Sequence, residues 1–146
     1  MKILVSDRIS EKGRAVLMNA SGLEVSYQTD LNQDQLLCEI QDSTALIVRS
    51  RTRVTAEVIG AGSELRVIGR AGAGVDNIDL EAATQEGILV MNTPGGNSVS
   101  TAEHAFALLI ALARKLSGAD ASVKAGEWNK AAFVGQELRG KTLGIL

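Results

Sequence analysis

Short apolar runs punctuate the first two-thirds of the chain: KILVS, LEVSY, ALIVRS, LRVIG and ILVMN, beginning near residues 2, 23, 45, 65 and 88. Most hold Val, Ile and Leu without polar alternation, the pattern of parallel strands covered on both faces. The segments between them carry helix signals. Asn32 stands as an N-cap with Gln35 three residues on, and Leu31 and Leu36 are placed to staple that helix. Asp79 caps LEAATQE, which stops at Gly87 in the position after the helix C-cap. Strands alternating with helices predict an α/β fold, a doubly wound parallel sheet. Five strands give the flavodoxin-like order 2-1-3-4-5, with ligands gathering at the carboxyl ends of the strands.

The rhythm changes after MNTPGGNS at 91–98, which contains the only proline, Pro94. Ser100 and Glu103 read as a capping box, and AEHAFALLIALARKL as a helix to about Leu116. Ala102, Phe106, Leu109, Ile110 and Leu112 leave that helix almost no polar face, so it should be covered by a larger body or an interface. A second amphipathic stretch at 119–128 and a strand in the closing GKTLGIL follow. The predicted division is a first domain at 1–97 and the opening of a second at 98–146.

Composition narrows the function classes. The chain has 146 residues, 45% of them apolar, enough for a core. A net charge of −2 and four aromatic side chains (Tyr27, Phe106, Trp128, Phe133) argue against a nucleic-acid surface. One cysteine rules out an internal disulfide; Cys38, among Leu36, Leu37 and Ile40, reads as a buried, inert thiol. One histidine and one cysteine make no metal set, and His104 reads as an ordinary helical side chain. The longest apolar stretch, 105–113, is too short for a bilayer, so a soluble cytoplasmic protein is expected, with neither membrane nor nucleic acid as partner.

Chemistry should sit at the strand ends. RAGAGVDN at 70–77 has the first two glycines of a dinucleotide fingerprint, Gly72 and Gly74, but Asn77 replaces the third. A tight turn without nucleotide contact is the competing reading. Arg49-Ser50 end the third strand and Arg70 the fourth. Arginine there is costly to bury without an anion, and its planar fork suits carboxylate or phosphate. The amides of 71–74 can nest a second anionic group. The alternative is that Arg49 or Arg70 pairs internally with Asp7 or Asp76. Arg51 and Arg53 are expected to point to solvent.

RSRTRVTAEVI, GRAGAGVDNIDLEAATQEGILVMNTPGGNS, TAEHAFALLIALAR and GEWNKAAFVGQELRGKTLGIL together resemble the D-isomer-specific 2-hydroxyacid dehydrogenases along essentially the whole chain. The resemblance favours the branch that oxidises 3-phospho-D-glycerate to 3-phosphohydroxypyruvate with NAD, the first step of L-serine biosynthesis. It implies that 1–97 is the first part of a substrate-binding lobe and that 98–146 begins a Rossmann-type NAD-binding lobe. It implies substrate contacts at Arg49, Ser50, Arg70, the amides of Gly72 and Ala73, and Asn97, with Ala73 also near the nicotinamide. The family's glycine fingerprint and its catalytic arginine, glutamate and histidine would follow Leu146, so these 146 residues alone are expected to be inactive, binding NAD mainly elsewhere. His104 does not match the catalytic histidine. A homo-oligomer is implied through 101–116. The alternative function is a non-enzymatic module that binds a small anion or another protein.

Overall fold

A computed structural model describes residues 1–145. The chain divides into two compact units, Met1–Gly96 and Asn97–Leu146. In the first, all five apolar runs form strands: β1 (Lys2–Val5), β2 (Glu24–Tyr27), β3 (Ala45–Val48), β4 (Val67–Arg70) and β5 (Leu89–Asn92). They make one parallel sheet in the order β2-β1-β3-β4-β5. The helices between them are α1 (Glu11–Asn19), α2 (Gln33–Glu39), α3 (Ala56–Ala61) and α4 (Leu80–Gln85).

Their starts follow from local chemistry. Asn32 accepts from the Gln35 amide while the Gln35 side chain accepts from the Asn32 amide, closing a capping box on α2. Thr55 and Asp79 cap α3 and α4 through the amides of Val58 and Ala82. Gly87, at φ +66°, takes the left-handed position that ends α4.

Strand order and crossover handedness decide where the core lies. β1 connects to β2 in one direction along the sheet, and every later connection runs in the other. Right-handed crossovers therefore put α1 on one face and α2, α3 and α4 on the opposite face. The main core is on the three-helix side: Leu4, Leu46, Val48 and Ile68 of the sheet meet Leu36, Ile40, Val58, Ile59 and Ala83. The other face is only partly covered, contrary to the two-sided burial the sequence predicts. Leu89 and Met91, on the edge strand β5, remain 58% and 55% exposed. Cys38 is exposed rather than buried. Leu36 and Ile40, four apart, face the core, which turns position 38 outward on the same helix.

The second unit holds α5 (Ser98–Ala113), α6 (Leu116–Lys124) and a short 3₁₀ turn at Lys130–Phe133. α5 begins at Ser98, two residues ahead of the predicted cap. Ser100 lies within its first turn and donates its hydroxyl back to the Asn97 carbonyl. The helix stops at Ala113 rather than Leu116, as Lys115 adopts left-handed backbone at φ 52° and opens α6. The strand expected in GKTLGIL does not form at 141–145, and Leu146 lies outside the described residues. A strand needs a neighbour for its backbone ladder, and the second unit has none among the described residues. Among the described residues, no helix is long and apolar enough to cross a membrane.

Candidate functional site

The carboxyl ends of β1 and β3 adjoin where the strand order reverses, the place where doubly wound sheets open a crevice for ligands. Asp7, just past β1, ties the crevice floor together. Its buried carboxylate accepts from the Arg49 amide at 2.6 Å and the Thr52 amide at 3.1 Å. The Asp7 side chain thus fixes backbone rather than pairing with the Arg49 guanidinium. That guanidinium reaches the Arg8 carbonyl at 3.4 Å and has no carboxylate partner among the described residues. Asp7, Arg8, Arg49, Ser50 and Arg51 line a cavity of about 240 Å³.

Arg51 is exposed, as expected, but not unpartnered. Its guanidinium meets Asp30 at 2.6 Å, and Arg8 approaches the other oxygen of the same carboxylate at 3.8 Å. The hydrogen bond from Arg51 holds the Asp30 carboxyl below its usual range, reinforced by the charges of Arg51 and Arg8. The bond from Asp30 in turn raises Arg51.

The loop after β4 is built differently. Arg70 turns back under its own loop, donating to the Gly74 carbonyl at 2.5 Å and standing 3.5 Å from Asp76. Its side chain is only 10% exposed, and its Nε is buried without a partner. A Cβ on Gly72 would meet the guanidinium at 3.0 Å, and one on Gly74 at 3.2 Å. Both glycines therefore make room for Arg70. The Gly72 amide is engaged by the Arg70 carbonyl at 2.9 Å, leaving the Ala73 and Gly74 amides without an acceptor among the described residues. Asn92 and Thr93 stitch the loop to the end of β5 through the carbonyls of Ala73 and Gly72.

Asn77, which interrupts the glycine fingerprint, has a role sequence reasoning did not assign it. Its Nδ2 donates to the carbonyls of Arg49 at 2.7 Å and Thr52 at 2.6 Å, fastening the β3 loop to the β4 loop. The loop does not fit a dinucleotide pyrophosphate: the Asp79 carboxylate already occupies the start of α4, where an anion would need free amides.

The predicted site residues are thus only partly convergent. Arg49 and Ser50 share the switch-point cavity. Arg70 pairs in register with Val48, one residue before Arg49, so the two arginines leave adjacent strands toward opposite faces of the sheet. Asn97 falls in the second unit, at the N-cap position of α5, and its side chain makes no cap bond. Arg8 was not among the expected residues; its position beside Asp7 at a strand end is the signal that could have found it. No cluster of three or more His, Cys, Asp or Glu suited to a metal occurs among the described residues.

Residues 3–140 match the family described as D-isomer specific 2-hydroxyacid dehydrogenase, catalytic domain. The D-3-phosphoglycerate dehydrogenase of Archaeoglobus fulgidus is 53% identical over 146 residues, which is 100% of this chain and 28% of the relative. That of Rattus norvegicus is 53% identical over 145 residues, 99% of this chain and 27% of the relative. The chain thus spans little more than a quarter of the length of these relatives. The NAD+-bound 3-phosphoglycerate dehydrogenase structure from Entamoeba histolytica superposes with a TM-score of 0.71 at 38% identity, over 79% of this chain and 40% of that one. The NAD-dependent formate dehydrogenase from Staphylococcus aureus, solved with NAD, gives 0.81 at 28% identity, over 94% of this chain and 46% of that one.

Proposed function

The chain belongs to the D-isomer specific 2-hydroxyacid dehydrogenase family, and from that premise we propose that the protein oxidises 3-phospho-D-glycerate to 3-phosphohydroxypyruvate with NAD, the entry to L-serine synthesis. The observation that carries this reading is the switch-point cavity, where the Arg49 guanidinium stands open beside Ser50 with no internal carboxylate. An unpaired guanidinium in a crevice suits the phosphate of a small acid. The likeness to D-3-phosphoglycerate dehydrogenases along the whole chain supports that choice of acid.

The residues of this chain bind and orient rather than transfer. Arg49 and Ser50 take the phosphoryl end. The Ala73 and Gly74 amides form the nest for the substrate carboxylate, displacing Gly72 from that role because its amide is engaged within the turn. Arg70 shapes the nest from beneath instead of touching the ligand. NAD, when bound, accepts the hydride; the β4 loop offers it no pyrophosphate cradle, and its part is confined to the backbone and methyl group of Ala73. Self-association belongs to α5, where Val99, Phe106, Leu108 and Leu112 are exposed.

The test is kinetic. In the protein carrying this chain, 3-phosphoglycerate should support NADH formation while D-lactate and formate do not. Arg49→Gln should raise KM for 3-phosphoglycerate about tenfold, with kcat nearly unchanged, as for loss of one charged hydrogen bond. Equal turnover of lactate and 3-phosphoglycerate, or unaltered KM in the variant, refutes the reading.

A further inference from the structure

We propose that Arg8 is a specificity-determining residue, completing with Arg49 and Arg51 a three-guanidinium site for a phosphoryl group, with Asp30 as its brace. The inference rests on the reading of the crevice as the substrate's phosphate end and adds residues to it from another strand and another loop.

Three elements converge here. Arg8 follows β1, Arg49 and Arg51 follow β3, and Asp30 follows β2. All three arginines line one cavity of about 240 Å³, large enough for a phosphate and a few waters and too small for a nucleotide. Like charges do not gather without a reason. Asp30 lies between Arg8 and Arg51, hydrogen-bonded to one at 2.6 Å and 3.8 Å from the other, so a single carboxylate holds two guanidiniums near the cavity. Asp7, the other acid there, is buried and committed to the amides of Arg49 and Thr52. Three guanidiniums therefore stand against two carboxylates, Asp30 and the buried Asp7, and the net positive charge that remains favours a phosphate in the cavity. The Arg8 backbone carbonyl also receives the Arg49 guanidinium, which draws that side chain toward the end of β1. Arg53, which lines a neighbouring cavity with Asn32 and Gln33, is outside this group.

The placement predicts discrimination by charge. A phosphorylated acid should need Arg8, and an unphosphorylated one should not. Arg8→Gln in the protein carrying this chain should weaken 3-phosphoglycerate about tenfold in KM and in direct binding, and D-glycerate less than about twofold. Arg8→Lys, which keeps the charge but not the fork, should recover part of the loss, and Arg53→Gln should change neither acid. Arg8 is 79% exposed on its side chain, so substitution does not threaten the core. If Arg8→Gln behaves like Arg53→Gln, or weakens both acids alike, Arg8 has no such role even though the oxidation of 3-phosphoglycerate stands. If instead 3-phosphoglycerate is not a substrate, titrating inorganic phosphate while following arginine Nε–H resonances decides separately. Shifts at Arg8 and Arg49 together would uphold the anion site, and their absence would overturn it.

Discussion

The loops that leave β3 and β4 each carry an arginine where the backbone quits the sheet, yet the two side chains end in opposite situations. Arg70 is folded inward, its guanidinium on the Gly74 carbonyl and near Asp76, with two glycines making way for it. Arg49 is fixed at its backbone between Asp7 and Asn77, and its guanidinium, bonded to the Arg8 carbonyl but to no carboxylate, still borders the crevice. The chemistry of the residue is the same. What differs is whether its own loop turns back within reach. An arginine at a strand end can serve a ligand only where its guanidinium still borders an open cavity, as Arg49 does and Arg70 does not.

The largest effect should come from cutting the fastener between the loops. Asn77→Ala removes two hydrogen bonds and strands the carbonyls of Arg49 and Thr52, costing about 2 kcal/mol in urea unfolding. A stability within experimental error of the parent would show that the loops are held otherwise. Next, Arg70→Met, which keeps the apolar stem, should lose about 1.5 kcal/mol of stability through the missing charged hydrogen bond. Its KM should rise alike for phosphorylated and unphosphorylated acids, because the nest is deformed rather than the charge removed. Arg49→Gln should do the reverse, sparing stability and discriminating between acids. If the two variants behave alike, the contrast between the loops is wrong.

The smallest effect concerns pH. The Asp30 carboxyl is lowered from its ordinary 3.8 by its bond to Arg51, and Asp42 likewise by its bond to Lys2. A carboxyl depressed on folding adds stability that is present above its unfolded value and is lost as pH falls through the folded one. Acid melting below pH 3.8 should therefore be slightly less steep in Asp30→Asn than in the parent. Both pairs are exposed, so the difference should be small and should shrink further in salt. A steeper acid transition in the variant would reverse the assigned sign.

Much of the first unit was fixed by local pattern. Short apolar runs marked all five strands, four of them with consecutive Val, Ile or Leu, and the caps at Asn32 and Asp79 fell where the residue types placed them. These features depend on neighbours a few positions apart, so the sequence alone determined them, and with them the doubly wound sheet whose reversal point locates the crevice. It could not determine which way Arg70 turns, that Asn77 joins two loops 25 residues apart, or that Arg8 and Arg51 share Asp30. Nor did local pattern foresee residues 141–145 without a strand partner. Those outcomes rest on side chains meeting across separate elements and on ladders that need a second strand. Only the folded backbone sets such distances, and hydrogen bonding and charge pairing act over just a few ångströms.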